Sequence, residues 1–168
     1  NTNSYDKKAP IAGLDGLIDV YLPDYKYIDA STAEKYSDSP DYPETAFRAI
    51  KEMYYQKGSV LTTDTEGRAE NGLLLRHLVL PGHTDKSMEL LGKLAYDIST
   101  GINISLMSQY HPVPGVGRFP DLNRTLYRSE YQAVVKHMEE LGFRNGWIQD
   151  MDSHCNYRPD FSRENPFE

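Results

Sequence analysis

The chain has 168 residues, of which 39% are hydrophobic and 26% charged, and its formal net charge at pH 7 is -7. This describes one globular domain, and the negative charge argues against a nucleic acid partner or an anionic membrane surface. No apolar run reaches the roughly 18 residues of a membrane-spanning helix. The single cysteine, Cys155, excludes an internal disulfide and leads us to expect a cytoplasmic location.

The first six residues, NTNSYD, have the polar composition of a strand end. We therefore expect the body of that strand to precede Asn1 and the chain to be a piece of a larger fold; a processed N-terminus is the alternative. Residues 1–168 are expected to form a single domain. Its last part, 151–168, is polar and contains prolines, which predicts an extended tail across a surface.

Strand and helix patterns alternate along the rest of the chain. Short apolar runs predict the strands, and apolar residues at three- and four-residue spacing predict the helices. The predicted strands are Gly16–Leu22, Gly72–Gly82, Ile102–Tyr110 and Gly146–Asp150, and the predicted helices cover 41–58, 84–99 and 128–142. Residues 59–71 and 112–123 are expected to be surface loops.

Helix ends are predicted from capping patterns. Asp41 and Glu44 have the spacing of a capping box, and Ser129 has Gln132 three residues further on. Gly58 is placed to end the first of these helices.

Strand–helix–strand units of this length imply parallel strands joined by right-handed crossovers. The predicted fold class is therefore α/β, with parallel strands and alternating helices. An open doubly wound sheet and part of a (β/α) barrel both fit the pattern. In either architecture, ligands bind at the carboxyl ends of the strands.

Polar side chains follow or end each predicted strand. Because the carboxyl ends of parallel strands share one rim, we expect these groups to converge. A lysine, an arginine and histidines among carboxamides suit a small ligand that carries a carboxylate and polar ring atoms. The candidates are Asn1, Thr2, Asn3, Asp24, Lys26, Arg76, Pro81, Gly82, His83, Gln109, Tyr110, His111, Gln149 and Asp150.

Each candidate also has a purely structural interpretation. Asp24 and Lys26 could form a solvated pair worth less than about 1 kcal/mol, and Arg76 could pair with an acid on a neighbouring strand. His77 is expected to face a helix as a hydrogen-bonded core residue, and His83 could simply precede a helix cap. The roles of His83, His154 and Cys155 stay open, and no metal site or catalytic residue is assigned.

Five segments, taken together and in order, indicate more than the individual residues do. They are NTNSY, DVYLPDYKY, LLLRHLVLPGH, SLMSQYHP and NGWIQD. In this order they resemble the second half of a radical S-adenosylmethionine (SAM) enzyme, in the branch of the pyruvate formate-lyase activating enzymes and their poorly characterised relatives. The resemblance spans nearly the whole chain, from Asn1 to Phe167.

The resemblance implies a partial parallel (β/α) barrel with SAM and a [4Fe-4S] cluster as cofactors. It implies reductive cleavage of SAM and hydrogen abstraction, in activating enzymes from a glycine of a partner protein, with an electron donor such as flavodoxin or ferredoxin. Carried over by position, it places the SAM pocket at Asn1, Thr2, Asp24, Lys26, Arg76 and His111. Asn1 departs from the family, because activating enzymes often have an acid there.

A second departure concerns activity. The family's C-x-x-x-C-x-x-C motif is absent, and Cys155 cannot replace it. This chain alone is therefore expected to be inactive, and its unpaired strand edge could lead to self-association. Two alternatives stay open: a non-catalytic α/β binding or interaction module, and a hydrolase or lyase that uses His83, His111 and Asp24, with or without a metal.

Overall fold

A computed structural model describes residues 1–151, which form five helices, one 3-10 turn and five strands. The predictions for His154, Cys155 and the tail after Met151 concern residues outside the described part of the chain. The helices are α1 (Lys8–Ala12), α2 (Ala30–Ser37), α3 (Tyr42–Lys57), α4 (Thr84–Asp97) and α5 (Arg128–Glu140). The strands are β1 (Val20–Tyr21), β2 (Thr62–Thr63), β3 (Ala69–Leu78), β4 (Asn103–Met107) and β5 (Gly146–Ile148), and the 3-10 turn is Val116–Arg118.

The strands form one sheet in the order β1-β3-β4-β5, and each of these neighbouring pairs is parallel. The short strand β2 pairs antiparallel with the beginning of β3. Thr2 continues the parallel pattern beyond β1, because it forms a bridge to Pro23. The predicted α/β class with parallel strands and alternating helices is confirmed.

The core lies between this sheet and its helices. Leu73, Leu75, Ile104 and Leu106 of the central strands have no exposed surface. The helices α3 and α4 complete the core with apolar faces at helical spacing; their buried side chains include Phe47, Ile50, Met53, Leu90, Leu91 and Leu94.

The predicted first strand, Gly16–Leu22, is too long. The strand contains only Val20–Tyr21, while Gly16 has a φ of +74° and Leu17 is 72% exposed. The apolar run therefore begins in a turn that follows α1, where hydrophobic side chains do not imply a strand.

The predicted loop 59–71 is also partly wrong, because it contains a hairpin. Thr62 pairs with Asn71 and Thr63 with Ala69, so β3 begins three residues before the predicted Gly72. Gly72 lies where the exposed hairpin becomes the buried strand. Its φ is +138°, and a Cβ there would lie 2.7 Å from the carbonyl oxygen of Val60.

Of the two predicted caps, Asp41 is the N-cap residue of α3 but does not form the capping box, and Ser129 is not the N-cap of α5. Asp41 makes no side-chain capping bond in α3, and its carboxylate instead accepts a hydrogen bond from the Tyr5 hydroxyl. The N-cap of α5 is Tyr127 rather than Ser129, and Glu130 accepts the Tyr127 N–H at 2.9 Å. The predicted end of α3 at Gly58 is confirmed.

Two helices, α1 and α2, were not predicted, although α2 has a clear start signal. The N-cap of α2 is Asp29, whose carboxylate accepts the Thr32 N–H at 2.9 Å. Across residues 1–151, none of the helices combines the length and apolar character that a membrane crossing requires.

Candidate functional site

The carboxyl ends of β1, β3 and β4 open onto a cavity of about 630 Å³. Residues that follow β1 and residues of β3 form one wall, and the loop after β4 forms the opposite wall. The lining residues are Asp24, Lys26, Tyr27, Tyr36, Arg76, Leu78, Leu80, Met107, Tyr110, Val113, Pro114, Gly115, Val116, Arg118, Phe119 and Leu122. The expected convergence of strand-end residues therefore holds for Asp24, Lys26, Arg76 and Tyr110.

The sheet backbone brings Asp24 beside Arg76. The Asp24 N–H donates to Thr2 O at 2.9 Å, the Arg76 N–H donates to Pro23 O at 2.8 Å, and Asp24 and Arg76 form a parallel bridge. Their side chains then meet in a two-point contact, because Arg76 Nε lies 2.8 Å and Arg76 Nη2 lies 2.7 Å from Asp24 Oδ1. Both nitrogens contact the same carboxylate oxygen, and charge-assisted contacts of this length are among the stronger polar contacts in proteins.

Two further residues complete this polar corner. Arg76 Nη2 donates to Asn1 Oδ1 at 2.6 Å, and Lys26 Nζ lies 3.6 Å from Asp24 Oδ2. The Lys26 side chain is 47% exposed, whereas those of Arg76 and Asp24 are 28% and 21% exposed. Of the two cations of this corner, Lys26 therefore has more freedom to meet a ligand than Arg76.

Three of the six predicted cofactor-binding residues do not line the cavity, and they are Asn1, Thr2 and His111. Asn1 contacts the cavity residue Arg76. Thr2 supports Asp24 through its backbone, and its hydroxyl donates to Asp6 rather than facing the cavity. His111 is exposed and is not one of the lining residues, although its neighbour Tyr110 is.

Three other strand-end candidates, Gln109, Gln149 and Gly82, make hydrogen bonds that stabilise the fold and do not line the cavity. Gln149 Nε2 donates to Gln109 Oε1 at 3.0 Å, which ties the end of β5 to the end of β4. The Gly82 N–H donates to Glu130 Oε1 at 2.7 Å, which ties the start of α4 to α5.

His77 is a buried core residue, as predicted. Its Nδ1 lies 2.7 Å from Tyr25 O, and its Nε2 lies 2.9 Å from Ser87 Oγ of α4. Burial lowers the pKa of the imidazole, because the surrounding core disfavours its charged form. Strand alternation places His77 on the face opposite Arg76 and away from the cavity.

Sequence reasoning missed a polar cluster beside the cavity, which consists of Lys35, Tyr36, His83 and Asp121. Lys35 Nζ lies 2.8 Å from Asp121 Oδ2, the Tyr36 hydroxyl donates to the same carboxylate, and Tyr36 Oη lies 2.7 Å from His83 Nε2. Lys35 and Tyr36 hold the pKa of the Asp121 carboxyl well below its usual range.

This cluster links the loop after β4 to helix α2. Tyr36 also packs edge-on against Phe119 at 5.0 Å, and the Tyr110 hydroxyl donates to Leu122 O at 2.8 Å. Because Lys35 and Asp121 are 86 residues apart and follow no motif, no local sequence pattern could have found the pair.

The cavity therefore has a charged corner and a largely apolar remainder. Among residues 1–151, Asp24 is the one carboxylate that lines the cavity, and Lys26, Arg76 and Arg118 are the cations that line it. Leu78, Leu80 and Met107 contribute apolar surface at the strand ends. Such a cavity suits a small molecule with a carboxylate or zwitterionic end and a larger, less polar body.

The described residues offer no site for a bound metal. Nowhere in residues 1–151 do three or more His, Cys, Asp or Glu side chains lie close enough together to hold an ion.

Comparisons with known proteins identify one relative. The chain is 28% identical over 140 residues to an uncharacterized protein of Methanocaldococcus jannaschii. The match covers 83% of this chain and 37% of that protein, so the chain spans little more than a third of the relative's length. No protein-family model matches the chain. No solved structure gives a significant match.

Proposed function

We propose that this chain forms the SAM-binding, C-terminal portion of a radical SAM enzyme that resembles the pyruvate formate-lyase activating enzymes. The observation that carries the proposal is the Asp24–Arg76–Lys26 corner of a 630 Å³ cavity at the carboxyl ends of parallel strands. The parallel order β1-β3-β4-β5 is also what the second part of a partial (β/α) barrel requires.

The residues of the corner suit the methionine end of SAM. The Lys26 ammonium and the Arg76 guanidinium would hold the carboxylate, and Asp24 would accept from the amino group. The apolar side chains Leu78, Leu80 and Met107 would cover the adenosine. Because Arg76 is already held by Asp24 and Asn1, its orientation would be fixed before the ligand arrives.

The second cofactor of such enzymes does not fit the described residues. A [4Fe-4S] cluster is held by cysteine thiolates, and the chain has only Cys155. The cluster, the cleavage of SAM and hydrogen abstraction therefore require a part of the protein beyond this chain. A partner protein with a reactive glycine and a flavodoxin- or ferredoxin-type electron donor belong to the same proposal.

The hydrolase or lyase alternative is less favoured, and two observations count against it. His111 does not line the cavity, and the Asp24 carboxylate is held by Arg76 rather than free to act as a base. A binding module without catalysis would use the same cavity, so geometry does not separate it from our proposal.

The gene sequence upstream of the Asn1 codon separates these two functions. We expect it to encode C-x-x-x-C-x-x-C after a predicted strand. The protein that includes this motif, reconstituted with iron and sulfide without oxygen, should release 5′-deoxyadenosine from SAM when it is reduced. An upstream sequence without the motif would leave the binding module as the better description.

A further inference from the structure

Four tyrosine rings form a continuous row from the cavity to the surface. The ring centroids of Tyr36 and Tyr27 are 6.3 Å apart, those of Tyr27 and Tyr42 are 5.6 Å apart, and those of Tyr42 and Tyr5 are 5.8 Å apart. Tyr36 and Tyr27 line the cavity, Tyr42 is 4% exposed and Tyr5 is 42% exposed. The row therefore runs from the cavity, where a ligand would bind, to the solvent-exposed surface.

Both ends of the row donate to a carboxylate. The hydroxyl of Tyr5 donates to Asp41, and that of Tyr36 donates to Asp121. The Tyr5 contact crosses 36 positions of sequence and uses the carboxylate that would otherwise cap α3. The Asp41 carboxylate thus accepts a hydrogen bond from Tyr5 instead of capping α3.

The two inner rings are held by hydrogen bonds as well. The Tyr42 hydroxyl lies 3.0 Å from both Asn3 O and the Lys26 N–H, and Tyr27 Oη lies 2.9 Å from Ser37 Oγ. Tyr27 meets Tyr42 edge-on, with an interplanar angle of 74°, which is a favourable arrangement for aromatic pairs. Hydrogen bonds and ring contacts therefore hold both inner rings in place within the row.

A phenol is oxidised most easily when its proton can leave together with the electron, because the phenol radical cation is a strong acid. A carboxylate that accepts a hydrogen bond from the phenol provides the base. The hydrogen bond to Asp41 also raises the pKa of Tyr5, so the phenol stays protonated before oxidation. Tyr5 is the exposed end of the row, and a radical that reaches it would remain there.

We propose that the row Tyr36–Tyr27–Tyr42–Tyr5 is an electron-transfer path that reduces a one-electron oxidant in the cavity at the expense of Tyr5. One electron passes from Tyr5 through the inner rings to the oxidant, the phenolic proton of Tyr5 passes to Asp41, and a neutral phenoxyl radical remains on Tyr5. The inner tyrosines return to their initial state. An exogenous thiol then restores the Tyr5 phenol by giving up a hydrogen atom and becomes a thiyl radical, and Asp41 releases its proton to solvent.

The natural oxidant that we propose is an organic radical. With a carbon-centred radical, the electron from Tyr5 and a proton from solvent convert the radical into the closed-shell C–H compound. If the proposed function holds, the path would remove radicals that fail to find their substrate. The path itself requires only an oxidant in the cavity, so its test needs neither SAM nor a cluster.

The test places a photo-oxidant at the cavity wall. Val113 lines the cavity and is 64% exposed, so Val113→Cys in a Cys155→Ser background can carry a thiol-reactive ruthenium complex. Flash excitation with an external quencher then produces Ru(III) at this position. Electron paramagnetic resonance detects the tyrosyl radical, and peptide mass spectrometry locates the oxidised residue.

We expect oxidation at Tyr5 in the labelled parent chain. Tyr27→Phe keeps the ring but removes the hydroxyl, and it should reduce oxidation of Tyr5 to the level of unlabelled protein while oxidation of Tyr36 persists. Asp41→Asn leaves all four rings in place and should lower the yield of the Tyr5 radical by removing its base. Tyr96→Phe is the matched control, since Tyr96 is 91% exposed and lies outside the row.

Unchanged oxidation of Tyr5 in both Tyr27→Phe and Asp41→Asn would overturn the proposal. An equal loss in Tyr96→Phe would overturn it too, because oxidation of Tyr5 would then not depend specifically on the row. Circular dichroism of each variant identifies loss of folding separately. A failed path with intact SAM binding, or the reverse, distinguishes this inference from the proposed function.

Discussion

Arg76 Nε lies 2.8 Å from Asp24 Oδ1, although the two residues are 52 positions apart in the sequence. The contact joins the segment that follows β1 to the carboxyl-terminal part of β3 across a parallel backbone bridge. A measurement of this contact therefore tests the pairing of these strands as well as the geometry of the cavity.

The first prediction concerns the energy of this contact. Asp24→Ala and Arg76→Met should each reduce the free energy of unfolding by about 1.5–3 kcal/mol, because each leaves a partly buried charge without its partner. The double variant should lose less than the sum, with a coupling of about 0.5–3 kcal/mol. Urea unfolding measures all four proteins.

The exposed pair Arg48–Glu44, with side chains 65% and 60% exposed, is the control for this cycle. Its coupling should be about 0.3–0.5 kcal/mol, which is usual for such helix pairs. Strict additivity at Asp24 and Arg76 would mean that the two charges do not interact.

The second prediction concerns the junction of β4 and β5. Gly146 has a φ of +115°, and a Cβ there would lie 2.0 Å from Ile104 O. Gly146→Ala should therefore reduce the free energy of unfolding by more than about 1 kcal/mol. Gly92→Ala, inside α4 where a Cβ meets nothing within 4 Å, should increase it by about 0.4–1 kcal/mol. Equal effects in thermal or urea unfolding would contradict the described β4–β5 pairing.

The third prediction concerns acid stability. Hydrogen bonds from Arg124 lower the pKa of Glu130 from its ordinary 4.5 to about 2. Since the folded-state pKa is depressed, this carboxylate stabilises the fold fully above about pH 4.5, and the contribution disappears as the pH falls towards 2. Glu130→Gln should cost about 1.5–3 kcal/mol at neutral pH and clearly less near pH 3.

Urea unfolding of both proteins at the two pH values measures this difference. Glu139→Gln, an exposed change on the same helix, should show no comparable pH dependence. A Glu130→Gln effect of the same size at both pH values would show that the loss is one of packing rather than charge.

The fourth prediction concerns the edge strand β5. Within residues 1–151, β5 pairs with β4 and with no further strand, and its Trp147 and Ile148 are 52% and 47% exposed. We propose that this edge mediates self-association of the chain. Ile148→Lys should shift sedimentation towards monomer, whereas Leu17→Lys, at an apolar residue that is 72% exposed, should not. A parent chain that stays monomeric at all concentrations would contradict this.

The sequence predicted the central strands and the long helices because their signals are local. Continuous apolar runs identify β3 and β4, and apolar spacing identifies α3, α4 and α5. The sequence failed where neighbours override a local pattern. Asp41 had the spacing of a cap but bonds Tyr5, and the apolar run from Gly16 begins as a turn.

The candidate site could likewise be predicted only in part. The rule that ligands bind at the carboxyl ends of parallel strands identified Asp24, Lys26 and Arg76, because each lies at such an end. The same rule could not place His111, whose side chain depends on the path of a loop rich in glycine and proline. Nor could it find the contact of Lys35 with Asp121, which depends on the tertiary fold alone.

The binding of SAM tests the central claim most directly. Isothermal titration of SAM into the protein that contains this chain and the segment encoded upstream of it should show one site. Lys26→Ala should weaken binding by about 1.5–3 kcal/mol through loss of a charge-assisted contact, and Lys136→Ala, at an exposed lysine of α5, should not. The absence of binding, or equal affinity in wild type and Lys26→Ala, would contradict the assignment of this cavity to SAM.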